Sequence, residues 1–215
     1  NDWFEKQRVV QPFALSPGIA GVVFPPKESH EPPFTFGSGV QMLGKNIPVD
    51  KDTLMEIGSL SKTFIALGIS SLVTKNVLSF DDPVQKHLGD DFIFGPNEYV
   101  SKVVTVKDLM AHRTGLAEGQ GDFMGFVFPP KDQLGELRNI DPVHTFREVF
   151  DYSNTGWTVA GQVFRAASNA STWCEALHAH VFEPLNLTRT FCHRNEIPGE
   201  IAKRHLAAVH KMNPC

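Results

Sequence analysis

The 215-residue sequence has no run of basic residues and no long apolar run. Its 20 Lys and Arg are outnumbered by 24 Asp and Glu, and the net charge of −4 comes with no basic stripe that could neutralise a phosphate backbone. The longest apolar stretches, such as residues 63–73, are too short and too interrupted to cross a bilayer. The sequence therefore argues against a nucleic-acid partner and predicts no membrane span.

Cysteine is also scarce. Only three Cys occur, Cys174, Cys192 and Cys215, and an odd count leaves one thiol without an intrachain partner. Because the segment between Cys174 and Cys192 is short, we expect these two to pair, which would stabilise the fold by about 3 kcal/mol in the chain-entropy model. Cys215 is then the candidate for an interchain disulfide. The His residues show no zinc-ligand spacing, so we expect neither a metal nor a cofactor.

Two short motifs concern the compartment of the protein. Asn169 begins the triplet Asn-Ala-Ser and Asn186 begins Asn-Leu-Thr, and both triplets fit the acceptor pattern for N-glycosylation. A chain of this length shows about one such match by chance. Together with the cysteines, the two motifs favour an oxidising compartment, and we expect a secreted or lumenal protein.

The remaining composition is that of a packed globular protein, with 41% hydrophobic and 20% charged residues. β-Branched and alternating runs, separated by a Pro-rich connection, predict two antiparallel strands over residues 19–24 and 34–42. Helical spacing begins at Ser59 and ends at Asn76. The same spacing predicts further helices over residues 105–111, 157–167 and 171–182.

One pair of residues in the first predicted helix has chemical potential. Ser59 and Lys62 form the only Ser-x-x-Lys in the chain. At a helix start, residues three apart lie on one face, so the Lys ammonium can reach the Ser hydroxyl. The helix N-terminus and the Lys charge both favour negative charge on that oxygen, which makes the hydroxyl more nucleophilic. Taken alone, such a pair is more often an N-cap followed by a solvated Lys.

The sequence around this pair resembles a known family. Residues 55–64, MEIGSLSKTF, are similar to the nucleophile segment of class C β-lactamases and of their esterase and D,D-peptidase relatives. Four further segments match the same family in order along the chain, at residues 17–23, 78–84, 108–116 and 184–190. The chain thus resembles the N-terminal portion of a serine β-lactamase or penicillin-binding protein.

The resemblance implies an α/β (α+β) fold of the β-lactamase/transpeptidase type. In that fold an antiparallel sheet is flanked by helices and joined to a mostly helical subdomain. We expect residues 1–79 to form the N-terminal part of the sheet domain with the nucleophile helix, and residues 80–215 to form the helical subdomain. The resemblance also implies that we should expect the C-terminal strands of the sheet to be missing from this chain.

A second family element is Tyr-x-Asn, which occurs here as Tyr152-Ser153-Asn154. The resemblance implies that Ser59 is acylated, that Tyr152 and Lys62 carry its proton, and that Asn154 orients Lys62 and the substrate. A free phenol has a pKa near 10, so neighbouring positive charge has to stabilise the phenolate. We therefore expect a serine hydrolase or acyltransferase that acts on a small-molecule or peptide ester or amide through an acyl-enzyme.

The third family element, a Lys-Thr-Gly or His-x-Gly triplet on a later strand, does not follow Tyr152. We expect a C-terminal chain of the same precursor, or another subunit, to complete the sheet, and Cys215 to be a candidate link to it. A fragment and a catalytically silent scaffold are the alternatives. A carboxylate-based hydrolase is disfavoured because the Asp81-Asp82 pair looks like cap and turn residues. His112, in a segment that is a structural turn in the family, is left out of the catalytic set.

Overall fold

A computed structural model describes residues 17–42, 44–122 and 134–205, the last three by their backbone alone. The chain divides into two compact units. One unit contains the described residues up to Gly58 together with those from Phe191 onward, and the other runs from Ser59 to Thr190. The predicted division near residue 79 stays a prediction.

The described regular elements are two strands and a series of helices. The strands are β1 (Gly18–Val23) and β2 (Phe34–Gly39). The α-helices are α1 (Ser61–Thr74), α2 (Gln85–Leu88), α3 (Glu98–Val103), α4 (Val106–Met110), α5 (Asn154–Ala167), α6 (Trp173–Leu177) and α7 (Gly199–His205). Short 3-10 turns lie at Gly58–Leu60, Leu137–Asn139 and Arg194–Glu196, and a π-helix lies at His178–Phe182.

The first unit is built on the antiparallel pair of β1 and β2. Their register runs from Gly18 opposite Gly39 to Val23 opposite Phe34. A side chain at position 37 would clash with the backbone of Val49, so glycine is needed there. Val22, Val23 and Phe34 stay exposed, in addition to Phe24 in the connection that follows β1. A two-stranded sheet with this much exposed apolar surface is marginally stable in water by itself.

The second unit has its core between α1 and α5. Ile69 and Leu72 of α1 and Val163 and Phe164 of α5 are almost completely buried. The Phe164 ring occupies the space that a side chain at Gly68 would need, so the glycine allows the two helices to approach closely. Each of these buried side chains contributes about 1.5 to 3 kcal/mol of hydrophobic free energy. The packing fixes the N-termini of both helices relative to each other.

Polar side chains fix the segments before α4. Asp82 is buried and accepts hydrogen bonds from Lys86 at 2.7 Å and from the Ser79 amide at 2.9 Å, and it lies 2.9 Å from the ring of His87. Burial alone would raise the pKa of Asp82, but these hydrogen bonds outweigh it and lower the pKa to about 2. Asp81 pairs at the surface with Lys107. The two carboxylates therefore have structural partners.

A capping box and an ion pair hold α4. Thr105 and Asp108 exchange the hydrogen bonds of the box at the helix start. Arg147 then donates to both oxygens of Asp108, at 2.9 and 2.7 Å. Burial opposes the charged form, yet the Arg147 and Thr105 hydrogen bonds keep the pKa of Asp108 below its usual value. The other end of α4 leads directly to His112.

The fold class predicted from the sequence is confirmed, with a small antiparallel sheet and helices. The two strands and the four helices with predicted bounds begin and end within a few residues of their predicted positions. Three details differ. Ser59 lies in a 3-10 turn, and the α-helix begins at Ser61. Helix α5 begins at Asn154 because the Ser153 hydroxyl caps it. The last predicted helix changes from an α-helix to a π-helix after Leu177.

Candidate active site

The candidate nucleophile lies in the turn that leads into α1. Gly58 has a φ of +53°, a left-handed conformation that suits glycine, and the chain then turns through Ser59 into the helix. Lys62 follows in the first turn of α1, and its Nζ donates to Ser59 Oγ at 3.2 Å. Ser59 is exposed and Lys62 is half-buried. The hydroxyl is therefore open to a substrate while the ammonium is held beside it.

The start of α5 brings two more side chains to this point. The Ser153 hydroxyl caps the helix by accepting from the Gly156 amide at 3.1 Å, which places Tyr152 and Asn154 on either side of the cap. Tyr152 Oη lies 2.6 Å from Ser59 Oγ. The structure thus brings together the four residues that the sequence predicted for the site: Ser59, Lys62, Tyr152 and Asn154.

Lys62 is the centre of this cluster. Besides Ser59, its Nζ donates to Tyr152 Oη at 2.7 Å and to Asn154 Oδ1 at 2.7 Å. An ammonium has three protons, so these three hydrogen bonds use all of them. The hydrogen bond from Lys62, and after it the one involving Ser59, lowers the pKa of the Tyr152 phenol. The arrangement favours a phenolate beside the Ser59 hydroxyl.

The ring of His112 packs against the ring of Tyr152. His112 has a φ of +56° just after α4, and its ring stacks on the Tyr152 ring at 4.6 Å between centroids. Its Nδ1 accepts from the Ser153 amide at 2.8 Å, and its Nε2 lies 3.0 Å from the indole Nε1 of Trp157. Burial lowers the pKa of His112, which favours the neutral ring. The His112 ring thus packs against Tyr152 and contacts both Ser153 and Trp157 at the start of α5.

Asp122 is a member of the site that the sequence did not reveal. Its Oδ2 accepts from Asn154 Nδ2 at 2.8 Å, on the opposite side of the amide from Lys62. Asp122 stands in a segment with Gly119 and Gly121, which indicates only a turn. No spacing rule links it to an Asn that lies 32 residues later.

A cavity of about 400 Å³ lies between α1 and α5, next to Lys62 and Asn154. Its walls are largely apolar and aromatic, with Ile65, Trp157 and Trp173 among the lining residues. Volume and lining are typical of small-molecule pockets. The cavity begins beside the cluster around Lys62.

The other predicted residues are three cysteines and two asparagines. Cys174 and Cys192 are both disulfide-bonded, and Cys215 lies outside the described residues. Asn169 and Asn186 are exposed, and each has a φ of +53°. Their glycosylation stays a prediction. Among the helices of the described part of the chain, none is long and apolar enough to span a membrane.

Two curated proteins are similar to this chain in sequence. The chain is 28% identical over 167 residues to unguisins hydrolase of Aspergillus campestris, which covers 74% of this chain and 30% of that protein. It is 27% identical over 216 residues to penicillin-binding protein 4 of Amycolatopsis lactamdurans, covering 97% of this chain and 52% of that one. The chain therefore spans about a third to a half of the length of these relatives.

A solved structure shares the fold. The octameric penicillin-binding protein homologue from Pyrococcus abyssi superposes with a TM-score of 0.76 at 24% identity, covering 96% of this chain and 46% of that chain. The family model described as Beta-lactamase matches residues 11–210, which is most of the sequence. The chain belongs to the Beta-lactamase family.

Proposed function

We propose that this protein is a serine hydrolase or acyltransferase that cleaves an ester or amide through an acyl-enzyme at Ser59. The observation that carries the proposal is the contact of Ser59 Oγ with both Tyr152 Oη, at 2.6 Å, and Lys62 Nζ, at 3.2 Å. A hydroxyl held between a phenol of lowered pKa and an ammonium can lose its proton as it attacks. The relatives named as hydrolases and penicillin-binding proteins support the general class.

The acylation step follows from these contacts. With Tyr152 as phenolate, the Ser59 proton passes to Tyr152 Oη while Ser59 Oγ forms a bond to the substrate carbonyl carbon. The carbonyl electron pair moves onto its oxygen. When the intermediate collapses, the bond to the leaving group breaks, and that group takes the proton from Tyr152. A positioned base of this kind contributes roughly 10² to 10⁴ in rate.

Deacylation reverses the roles. Water, or an acceptor alcohol or amine, gives its proton to Tyr152 and attacks the acyl carbon, and the Ser59 oxygen recovers the proton as it leaves. Lys62 stays charged through both steps and stabilises the phenolate through its 2.7 Å hydrogen bond. Water as the acceptor gives hydrolysis, and another nucleophile gives acyl transfer.

Labelling with a fluorophosphonate probe tests the proposal. Intact-mass analysis of the complete protein is expected to show one adduct, and Ser59→Ala is expected to abolish it. Ser61→Ala is the matched control, because Ser61 stands two residues later, at the start of α1, and is also exposed. If the complete protein gains no adduct, or if the adduct survives Ser59→Ala, the protein is instead a catalytically silent scaffold with this fold.

We further propose that a C-terminal chain of the same precursor, or another subunit, completes the sheet. The exposed apolar side chains of β1 and β2 support this. Such strands would also supply the second backbone N–H of an oxyanion hole, the first coming from Ser59 itself. The two sequons and the disulfide support secretion or residence in a lumen.

A further inference from the structure

The amide of Asn154 has two ends of opposite polarity, and the structure uses both. Its oxygen accepts from Lys62 Nζ at 2.7 Å, and its nitrogen donates to Asp122 Oδ2 at 2.8 Å. A half-turn of the amide would point its N–H groups at the ammonium and its oxygen at the carboxylate. Since an ammonium only donates and a carboxylate only accepts, the two ions together permit one orientation.

The loop before Asp122 is fixed to the start of α5. The Thr155 hydroxyl donates to the Gln120 carbonyl at 2.9 Å, and the Gln120 side chain accepts from the Ala117 amide at 3.0 Å. Gly121 is buried and has a φ of +84°, a conformation that strains other residues. The Asp122 amide donates to the Gly119 carbonyl at 3.1 Å. The carboxylate therefore approaches Asn154 from a braced turn.

The second carboxylate oxygen of Asp122 contributes nothing visible to the stability of the fold. Asp122 Oδ1 is buried and has no hydrogen-bond partner among the described residues. Burying a carboxylate oxygen without a partner costs free energy. A polar group kept at such a cost, in contact with a reactive cluster, is characteristic of a functional site.

We infer that Asp122 is a positioning residue, which fixes the amide of Asn154 and through it the ammonium of Lys62. Asp122 does not touch the reacting atoms. Without it, the amide is held on one side only, and Lys62 loses the fixed acceptor that directs its remaining protons to Ser59 and Tyr152. The catalytic consequence rests on the proposed function, whereas the positioning itself does not.

Two measurements on the complete protein test this inference, with four variants and one control variant. Asp122→Ala removes the acceptor, and Asp122→Asn keeps a carbonyl oxygen in its place. Asn154→Ala removes the amide, and the double variant removes both. Glu118→Gln is the control, because it removes a negative charge from an exposed position in the same loop. Thermal unfolding shows whether each variant is folded.

The first measurement is hydrogen exchange of the Asn154 side-chain amide, followed by NMR. The wild type, Asp122→Asn and Glu118→Gln are expected to protect this amide, and Asp122→Ala is expected to lose the protection. Unchanged protection in a folded Asp122→Ala protein would overturn the inference. This readout needs no activity, so it stands even if the wild type fails to react with any probe and the proposed function is wrong.

The second measurement is the rate of fluorophosphonate labelling. Misplacing a reacting group slightly can reduce rates by about 10- to 100-fold, and we expect a loss in this range for Asp122→Ala. Asp122→Asn should recover most of the rate, and Glu118→Gln should be no slower than wild type, because the Glu118 charge raises the pKa of Tyr152 and its removal lowers that pKa. The double variant should be no slower than Asn154→Ala. Losses that multiply in the double variant would show that Asp122 acts independently of Asn154 and would refute the inference.

Discussion

Lys62 Nζ lies 2.7 Å from Tyr152 Oη, although the two residues are 90 positions apart in the sequence. Lys62 lies in the first turn of α1 and Tyr152 stands just before α5, and the two helices pack together where the Phe164 ring meets Gly68. The reactive contact is therefore a consequence of core packing. A change in that core would alter the site as well as the stability.

Tyr152→Phe is expected to slow labelling of Ser59 by about 10² to 10⁴, because the phenol is the proposed base and the ring alone cannot take a proton. The variant keeps the stacking on His112, so its fold is expected to survive. Tyr99→Phe is the matched control: Tyr99 is the other tyrosine of the chain and is exposed. Stopped-flow measurement of the labelling rate of both variants tests this prediction. Equal rates for wild type and Tyr152→Phe would exclude Tyr152 as the base.

The rate of labelling is expected to rise with pH as Tyr152 loses its proton. The hydrogen bond from Lys62 lowers the pKa of this phenol, so the rise should be complete at lower pH than for a free tyrosine. In Lys62→Ala the phenol loses that hydrogen bond, its pKa returns towards 10, and the rise should move to higher pH. A pH–rate profile for each protein measures this shift. Superimposable profiles would contradict the assigned role of Lys62.

Asp82 is expected to make stability depend on pH at the acid end. Its pKa is about 2 in the folded protein and 3.8 in the unfolded chain, so the folded state binds the proton more weakly than the unfolded state. The resulting contribution, about 2 kcal/mol, is present above pH 3.8 and disappears as the pH falls to 2.

Asp82→Asn should therefore reduce the free energy of unfolding at pH 7 and have little effect near pH 2. Asp81→Asn is the control, since Asp81 forms its ion pair at an exposed position. Urea unfolding at several pH values measures both. A stability difference between wild type and Asp82→Asn that does not change with pH would argue against this account.

Much of the fold was accessible from the sequence because local patterns determine it. Alternation and a Pro-rich connection gave β1 and β2, and helical spacing gave α1 and α5. The 3-10 turn at Ser59 was missed because periodicity cannot separate the last residues of a turn from the first of a helix. The change to a π-helix after Leu177 was missed for a similar reason, since the spacing of apolar residues continues through the π-helix.

The site was less accessible than the fold. Ser59 and Lys62 could be paired by their spacing, because one helical turn separates them. Tyr152 and Asn154 joined them only through resemblance to a family, since no local rule brings residues 90 positions apart together. Neither spacing nor a family motif pointed to Asp122, because its contact with Asn154 exists only after the loop has folded against α5.

The last prediction concerns the exposed surface of β1 and β2. Val22 on β1 and Val77 after α1 are both 47% exposed, so the two valines look alike in this chain. If further strands from a C-terminal chain or another subunit cover the sheet, Val22 is buried in the native protein. Val22→Lys should then destabilise it by about 1.5 to 3 kcal/mol, while Val77→Lys should have an effect within about 0.5 kcal/mol.

The native protein also allows a direct test. Electrophoresis under reducing and non-reducing conditions, followed by sequencing of any second chain, would reveal a partner and show whether Cys215 links to it. We expect a larger species than 215 residues, with Val22→Lys weakening its assembly or stability. A monodisperse monomer of 215 residues that unfolds cooperatively, and in which Val22→Lys is as harmless as Val77→Lys, would show that these strands need no completion.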